Sequence, residues 1–360
     1  MGHPTRIQAV SLTDLDVALT EPFGIATGAQ TRAENLLVTL TLDDGTRGHG
    51  EAAPFPAVNG ETRALARAEL EAAIPQLHGL DVRAWRSIAP VLKQLLPRSA
   101  SARCAVETAM LDALTRHHRI PLWVFFGGAA TGLVTDMTIT TGTVEHARRA
   151  AARIEREGFH VIKLKVGGVP LEEDVERAVA VLSAAPQCGL LLDANAGMKS
   201  PAEVFALLDA IRGAGGRVVL FEQPLARNDL RGMREVTERA GVPVAADESV
   251  GSLADLHRVV AEKAANVVNI KIMKSGLVDA LELITVARAH GLGLMIGGMV
   301  ETQLAMTTSA CLAAGMGGFS FVDLDTPRWM VDAPLRGGFL ERGPALDLHP
   351  VTAGHGVDPL

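Results

Sequence analysis

Eight short runs of apolar, often β-branched residues recur between residues 134 and 324, each ending near a polar or charged residue. They cover 134–140, 160–166, 189–194, 217–222, 242–247, 266–272, 291–297 and 319–324. Their starts lie 24 to 29 residues apart, room for one strand, one helix and two short loops. Strands alternating with helices imply parallel pairing through right-handed crossovers, and eight such units in fewer than 200 residues imply a closed α/β barrel. After the eighth run the chain is rich in Pro and Gly and has no helical period. The last helix is therefore expected to be missing, which makes the barrel a (β/α)7β, TIM-like one.

Residues 1–125 read differently. Residues 7–17 and 36–42, the latter followed by Asp43-Asp44-Gly45, have the look of antiparallel strands. From 61 to 117 apolar positions recur at helical spacing, with Pro56, Pro90 and Pro97 as punctuation. An α+β domain thus precedes the barrel.

Composition narrows the function. With 34 Lys and Arg against 41 Asp and Glu the net charge is −7, so bulk charge recruits neither nucleic acid nor anionic lipid. No apolar stretch is long enough to span a membrane, and the N-terminus has no apolar export core. Three scattered cysteines, Cys104, Cys188 and Cys311, suit reduced thiols, so a cytoplasmic location is expected.

Barrel enzymes carry their chemistry at the C-terminal ends of the strands. Lys163 and Lys165 end the second run, Asp193 the third, Glu222 the fourth, Asp247 the fifth, Lys271 the sixth, and Asp323 and Asp325 the eighth. Side chains alternate along a strand, so Lys163 and Lys165 share the inner face while Ile162, Leu164 and Val166 meet the helices. In an eight-strand ring the second and sixth strands are opposed, so Lys165 faces Lys271 across the mouth. Asp193, Glu222 and Asp247 lie on one arc between them.

Three converging carboxylates repel unless a cation joins them, and an all-oxygen donor set suits Mg²⁺. None of the 11 histidines falls at these strand ends, which argues against zinc. A metal flanked by two facing lysines suits removal of a proton from the carbon next to a carboxylate, with the metal taking up the enolate charge. A second lysine can return the proton on the other face, which is racemisation or epimerisation. The eighth strand lies opposite the fourth, so the Asp323–Asp325 pair calls for a cation at the far end of the substrate. Two extended residues span roughly 7 Å, so a dipeptide fits between an ammonium there and a carboxylate on the metal.

Lys163-Leu-Lys165, Asp193-Ala-Asn195, Glu222-Gln-Pro, Asp247-Glu-Ser and Lys271-x-x-Lys274-x-Gly276, in this order, resemble the enolase superfamily, its muconate lactonizing enzyme subgroup, and within it the dipeptide epimerases. The resemblance covers the whole chain. It implies a capping domain at 1–125, a catalytic barrel at 126–325 and a C-terminal segment, 326–360, that returns to the cap. It implies Lys165 and Lys271 as the acid/base pair, Lys163 as electrostatic helper, Asp193, Glu222 and Asp247 as Mg²⁺ ligands, and a homo-oligomer. Asp323 and Asp325 are implied as the pair that binds the α-ammonium. Asn195 and Glu248 are candidates to orient the ligands, and Thr140 and Thr27 to touch substrate. Glu301 matches a family segment without an assigned role. Cap loops at 22–32 and 50–60 are expected to select the side chain, and the first has no cation before Arg32, which disfavours Ala-Glu and favours a hydrophobic or small second residue. N-acylamino acid racemisation, o-succinylbenzoate synthesis and muconate cycloisomerisation on the same site remain alternatives, as does a non-enzymatic metal- or peptide-binding barrel.

Overall fold

The computed structural model describes residues 4–25 and 28–360. Its first part is an antiparallel sheet of β1 (Ile7–Ile25), β2 (Gly28–Leu42) and β3 (Arg47–Ala52), followed by helices as far as Phe125. The β1–β2 hairpin is far longer than the 7–17 and 36–42 segments suggest. Most of the expected loop at 22–32 is strand, paired from Phe23↔Gln30 to Ile25↔Gly28 beyond a register shift between Ala18 and Phe23. Pro75 and Pro90 lie inside the helices Arg63–Leu77 and Trp85–Leu95 instead of between them. The first buries apolar residues against the sheet and the second against neighbouring helices, enough to outweigh one missing backbone donor each.

The short strand β4 (Gly132–Val134) joins a small C-terminal sheet, so the first barrel strand starts later than the run at 134–140. The barrel strands are β5 (Met137–Ile139), β6 (Val161–Lys165), β7 (Gly189–Asp193), β8 (Val218–Glu222), β9 (Val244–Ala246), β10 (Val267–Ile270), β11 (Gly293–Ile296) and β12 (Phe319–Val322), hydrogen-bonded in that order. All their pairings are parallel. The ring closes where Asp136 N donates to Val322 O at 2.9 Å. Thus the fold is a (β/α)7β barrel behind an α+β cap. A 3-10 turn at Thr326–Trp329 and short strands follow the last barrel strand in place of a helix.

Inside the barrel, Leu191, Leu220, Ala245, Val267 and Met295, with Val161 and Phe321 beside them, form a dry plug beneath the mouth. This is the layered filling of a small barrel, and it leaves only the strand ends for polar chemistry.

Buried polar contacts hold the cap on the barrel. Glu51 of β3 accepts from Asn35 Nδ2 (2.7 Å), Thr302 N (2.9 Å), Thr302 Oγ1 (2.5 Å) and Ala305 N (3.1 Å), so it sits on the N-terminus of helix Gln303–Met316. The C-terminal strap is tied to cap helix Ala100–His117: Asp112 accepts from His49 N, His355 N and Arg116 Nε, and Arg116 also reaches Asp358 at 2.7 Å. Burial pushes the His49 imidazole down to about 4, against the opposing pull of Asp112. A histidine held neutral in the fold but free to protonate when unfolded stabilises the protein above its unfolded value near 6.5 and loses that contribution as pH falls toward 4. The thermal midpoint is therefore expected to drop between pH 6.5 and 4, and His49→Gln to flatten that slope. An unchanged slope in the variant would show that other groups set it.

Candidate active site

Parallel register levels the strand ends. Lys165 pairs with Asp193, and Asp193 with Glu222, while Asp247 and Lys271 each follow their strand by one residue. The alternation expected for β6 holds: Lys163 and Lys165 both turn inward and are buried, as are Lys271, Asp193, Glu222 and Asp247.

Charges this deep survive only when paired. Lys163 Nζ lies 2.6 Å from Asp323 Oδ2, 2.8 Å from Glu222 Oε2 and 2.9 Å from Asp193 Oδ2. Lys165 Nζ contacts Asp193 Oδ2 at 2.6 Å and Asn195 Oδ1 at 3.1 Å. Lys271 Nζ sits 2.7 Å from Asp247 Oδ2 and 3.9 Å from Glu222 Oε1. Burial alone would discharge Lys163 and Lys271, yet the carboxylates around them hold both above the ordinary lysine range. Burial would likewise raise Asp193 and Asp247, and the lysines around each carboxylate hold it well below its usual range. Glu222 goes the other way, pushed up to about 7 by burial and by Asp193.

In its chemistry the donor set suits Mg²⁺, although as placed its three carboxylates do not all come within 4.8 Å of one another. It is all carboxylate oxygen from three adjacent strands, the Asp193/Glu222 and Glu222/Asp247 pairs are each already spanned by one ammonium nitrogen, and Glu222 Oε2 makes no aligned hydrogen bond. A different trio, Asp136, Asp323 and Asp325, brings oxygens within 4.8 Å of one another, the one group of three among the described residues that does so.

Lys163, Lys165 and Lys271 line one pocket at the barrel mouth. Thr138, Asn195, Asp323, Asp325 and Thr326 complete its polar wall, and Phe23, Ile25, Phe55, Val58 and Met299 its apolar one. The cap supplies most of the apolar side, so residues from the 22–32 and 50–60 segments do reach the mouth. Thr27 lies outside the described residues. Thr140 does not line the cavity: it sits past the end of β5, its carbonyl accepting from Arg177 Nη2 at 2.9 Å, and Thr138 one inward position earlier forms the wall.

Supporting contacts explain several motif letters. Asn195 N donates to Asp193 Oδ1, and Asn195 Nδ2 to Glu248 Oε1 at 3.1 Å, so Asn195 links a base candidate, a ligand candidate and Glu248. Its φ of +42°, tolerated by Asn, creates this bend. Glu248 is pushed up to about 8, mainly by burial. Glu301 accepts from Met299 N at 2.6 Å and shapes the turn that presents Met299 to the cavity.

Four residues escaped the sequence reading. Gln223 Oε1 accepts from Asp247 N and Ser249 N. Lys274 Nζ donates to Asp247 Oδ1 (2.5 Å), Asp247 O (2.7 Å) and Asn269 O (3.0 Å). Both belonged to quoted motifs. Arg177 donates to Lys165 O at 2.8 Å, and Asp136 belongs to the second carboxylate trio; neither stands at a strand end.

Comparison with known proteins agrees with this architecture. The model for the mandelate racemase/muconate lactonizing enzyme N-terminal domain matches residues 7–127, and that of the enolase C-terminal domain-like family matches 145–359. The chain is 50% identical over 355 residues to the aromatic dipeptide epimerase of Herpetosiphon aurantiacus, covering 99% of each. It is similar to the crystal structure of a mandelate racemase/muconate lactonizing protein from Herpetosiphon aurantiacus (TM-score 0.96, 49% identity, 100% of both chains). It is also similar to a dipeptide epimerase from Enterococcus faecalis V583 complexed with Mg and the dipeptide L-Leu-L-Tyr (TM-score 0.93, 29% identity, 98% of this chain and 99% of that one). With both halves matched and a relative identical at half of its positions, the chain belongs to the mandelate racemase/muconate lactonizing enzyme family of the enolase superfamily.

Proposed function

We propose that this protein is a Mg²⁺-dependent dipeptide epimerase that inverts the α-carbon of the C-terminal residue by two-base proton transfer. The observation that carries the reading is that Lys165 and Lys271 open on the same cavity as the Asp323–Asp325 pair, in a family whose similar members include an aromatic dipeptide epimerase. When bound by Asp193, Glu222 and Asp247, Mg²⁺ would supply a Lewis acid for the substrate's terminal carboxylate. Lys165 Nζ takes the α-proton from one face and Lys271 Nζ returns one on the other, or the reverse for the opposite epimer. Lys163 is unsuited to that task because its ammonium is ion-paired with three carboxylates within 2.9 Å; it holds them in place instead. Asp323 and Asp325 take the α-ammonium, and Asn195 and Glu248 orient Lys165 and Asp193.

The second side chain faces Phe23, Ile25, Phe55, Val58 and Met299, and among the described lining residues no arginine is present to pair a side-chain carboxylate. A hydrophobic or aromatic second residue is therefore favoured over glutamate. No described helix is long and apolar enough to cross a membrane, and the three cysteines are free and buried, which suits a reducing compartment.

Incubating the enzyme with L-Ala-L-Phe and Mg²⁺ in D₂O should place one deuterium on the α-carbon of Phe with loss of configuration. No exchange across a broad dipeptide library would overturn the assignment. Lys165→Ala and Lys271→Ala should each lower epimerisation by at least about 10³-fold while keeping exchange from opposite epimers. Exchange from both epimers in either variant would rule out two bases. Glu222→Gln should weaken Mg²⁺ binding by at least about tenfold in calorimetry, and unaltered affinity would remove Glu222 from the ligand set. Exchange of N-acyl amino acids by an Asp323→Asn variant that no longer acts on dipeptides would favour the racemase alternative as a latent activity.

A further inference from the structure

The seam where the barrel closes holds an acid that the proposed reaction leaves unused. Asp136 stands two residues before Thr138 on the inward side of the first barrel strand, its backbone locked to Val322 of the last. It is 4% exposed, and neither of its carboxyl oxygens has a hydrogen-bond partner. Beside it, Asp325 is 1% exposed; Thr138 N occupies its Oδ2 at 2.7 Å, and its Oδ1 has no partner. Asp323 spends Oδ2 on Lys163 at 2.6 Å. Three carboxyl groups therefore meet with acceptors to spare, at a depth where leaving an acceptor unsatisfied is costly.

Resting on the dipeptide reading above, we infer that Asp136 is the third acceptor of the ammonium subsite, which therefore takes a primary ammonium and rejects N-alkylated and N-acylated termini. A primary ammonium has three N–H donors. The trio's oxygens lie within 4.8 Å of one another, so a nitrogen among them can sit within about 2.8 Å of all three, the length of a charge-assisted hydrogen bond; Asp323 and Asp325 line the cavity, and Asp136 stands outside its lining but within 4.8 Å of both. An N-methyl ammonium has one donor fewer and would press its methyl group against one carboxyl, leaving it buried and unsatisfied. Burial, and next the charge on Asp323, hold the Asp136 carboxyl well above its usual range, as expected where a cation is the missing partner. Four lysines, Lys163, Lys165, Lys271 and Lys274, already balance Asp193, Glu222, Asp247 and Asp323. No lysine hydrogen-bonds Asp136 or Asp325, which leaves their spare acceptors to an incoming ammonium.

The test compares L-Ala-L-Phe with N-methyl-L-Ala-L-Phe on the full-length, Mg²⁺-loaded enzyme and its Asp136→Asn variant. The wild type should prefer the free amine by at least about tenfold in kcat/KM. Asp136→Asn should raise KM for the free amine about tenfold, change kcat much less, and shrink the preference to about threefold or below. An active wild type with an Asp136→Asn variant matching it in KM and preference overturns this inference alone. Equal use of both peptides by the wild type overturns it without any variant, so poor folding of the mutant leaves it decidable. Weakened Mg²⁺ binding by Asp136→Asn in calorimetry without peptide would make the trio a metal site and overturn it too. A wild type that exchanges no free dipeptide defeats the parent reading first, and this one with it.

Discussion

One ammonium organises the barrel mouth. Lys163 Nζ touches Asp193 from the third barrel strand, Glu222 from the fourth and Asp323 from the eighth, all within 2.9 Å. Each of these carboxylates would be expensive to bury singly, and the lysine would be too. Together they neutralise one another and fix four strand ends to a common point. That point separates two acidic territories. On one side Asp193, Glu222 and Asp247 are shared among lysines; on the other Asp136, Asp323 and Asp325 keep acceptors free. In the proposed reading the substrate's cation meets the second territory, and its carboxylate the metal that the first would hold.

The ionic and the apolar walls of the cavity come from different parts of the chain. The ionic wall belongs to the barrel, where register and alternation set side-chain direction to within one residue. The apolar wall comes mostly from the cap, through Phe23 and Ile25 at the tip of β1 and Phe55 and Val58 after β3. Such a division works only if the two parts hold their relative position. Glu51, buried against the N-terminus of helix Gln303–Met316, and Asp112, gripping the C-terminal strap, supply that rigidity. Phe23 also packs edge-on against Trp329, 5.4 Å between centroids, which carries the strap to the edge of the cavity.

Legibility followed the range of the interaction. The strand-end charges were readable because period-two alternation is local: Val161, Lys163 and Lys165 must share a face whatever the rest of the chain does. Gln223 and Lys274 stood in plain view within motifs, but their value lies in the backbone of Asp247, 24 and 27 residues away, which no local pattern reports. Arg177 is invisible for the same reason. It sits mid-helix among acidic neighbours, as a solvated face would, yet is buried against Lys165 O and Thr140 O. The cap hairpin exceeds what the sequence suggests because Pro22 and Gly24 read as loop, while pairing with β2 carries the strand through to Ile25.

What the sequence determined by itself was the repeat, the parallel barrel it entails and the order of charges around the rim, since spacing and alternation dictate which residues end each strand and which way they point. Tertiary structure alone decided which charges meet. Ion pairs such as Lys163 with Asp323 join residues 160 positions apart, and whether two buried groups come within 3 Å depends on how the ring closes. Asp136 shows the difference most clearly: in sequence a polar residue within the first apolar run, in the folded chain a carboxyl without a partner among other acids, because closure places it at the seam.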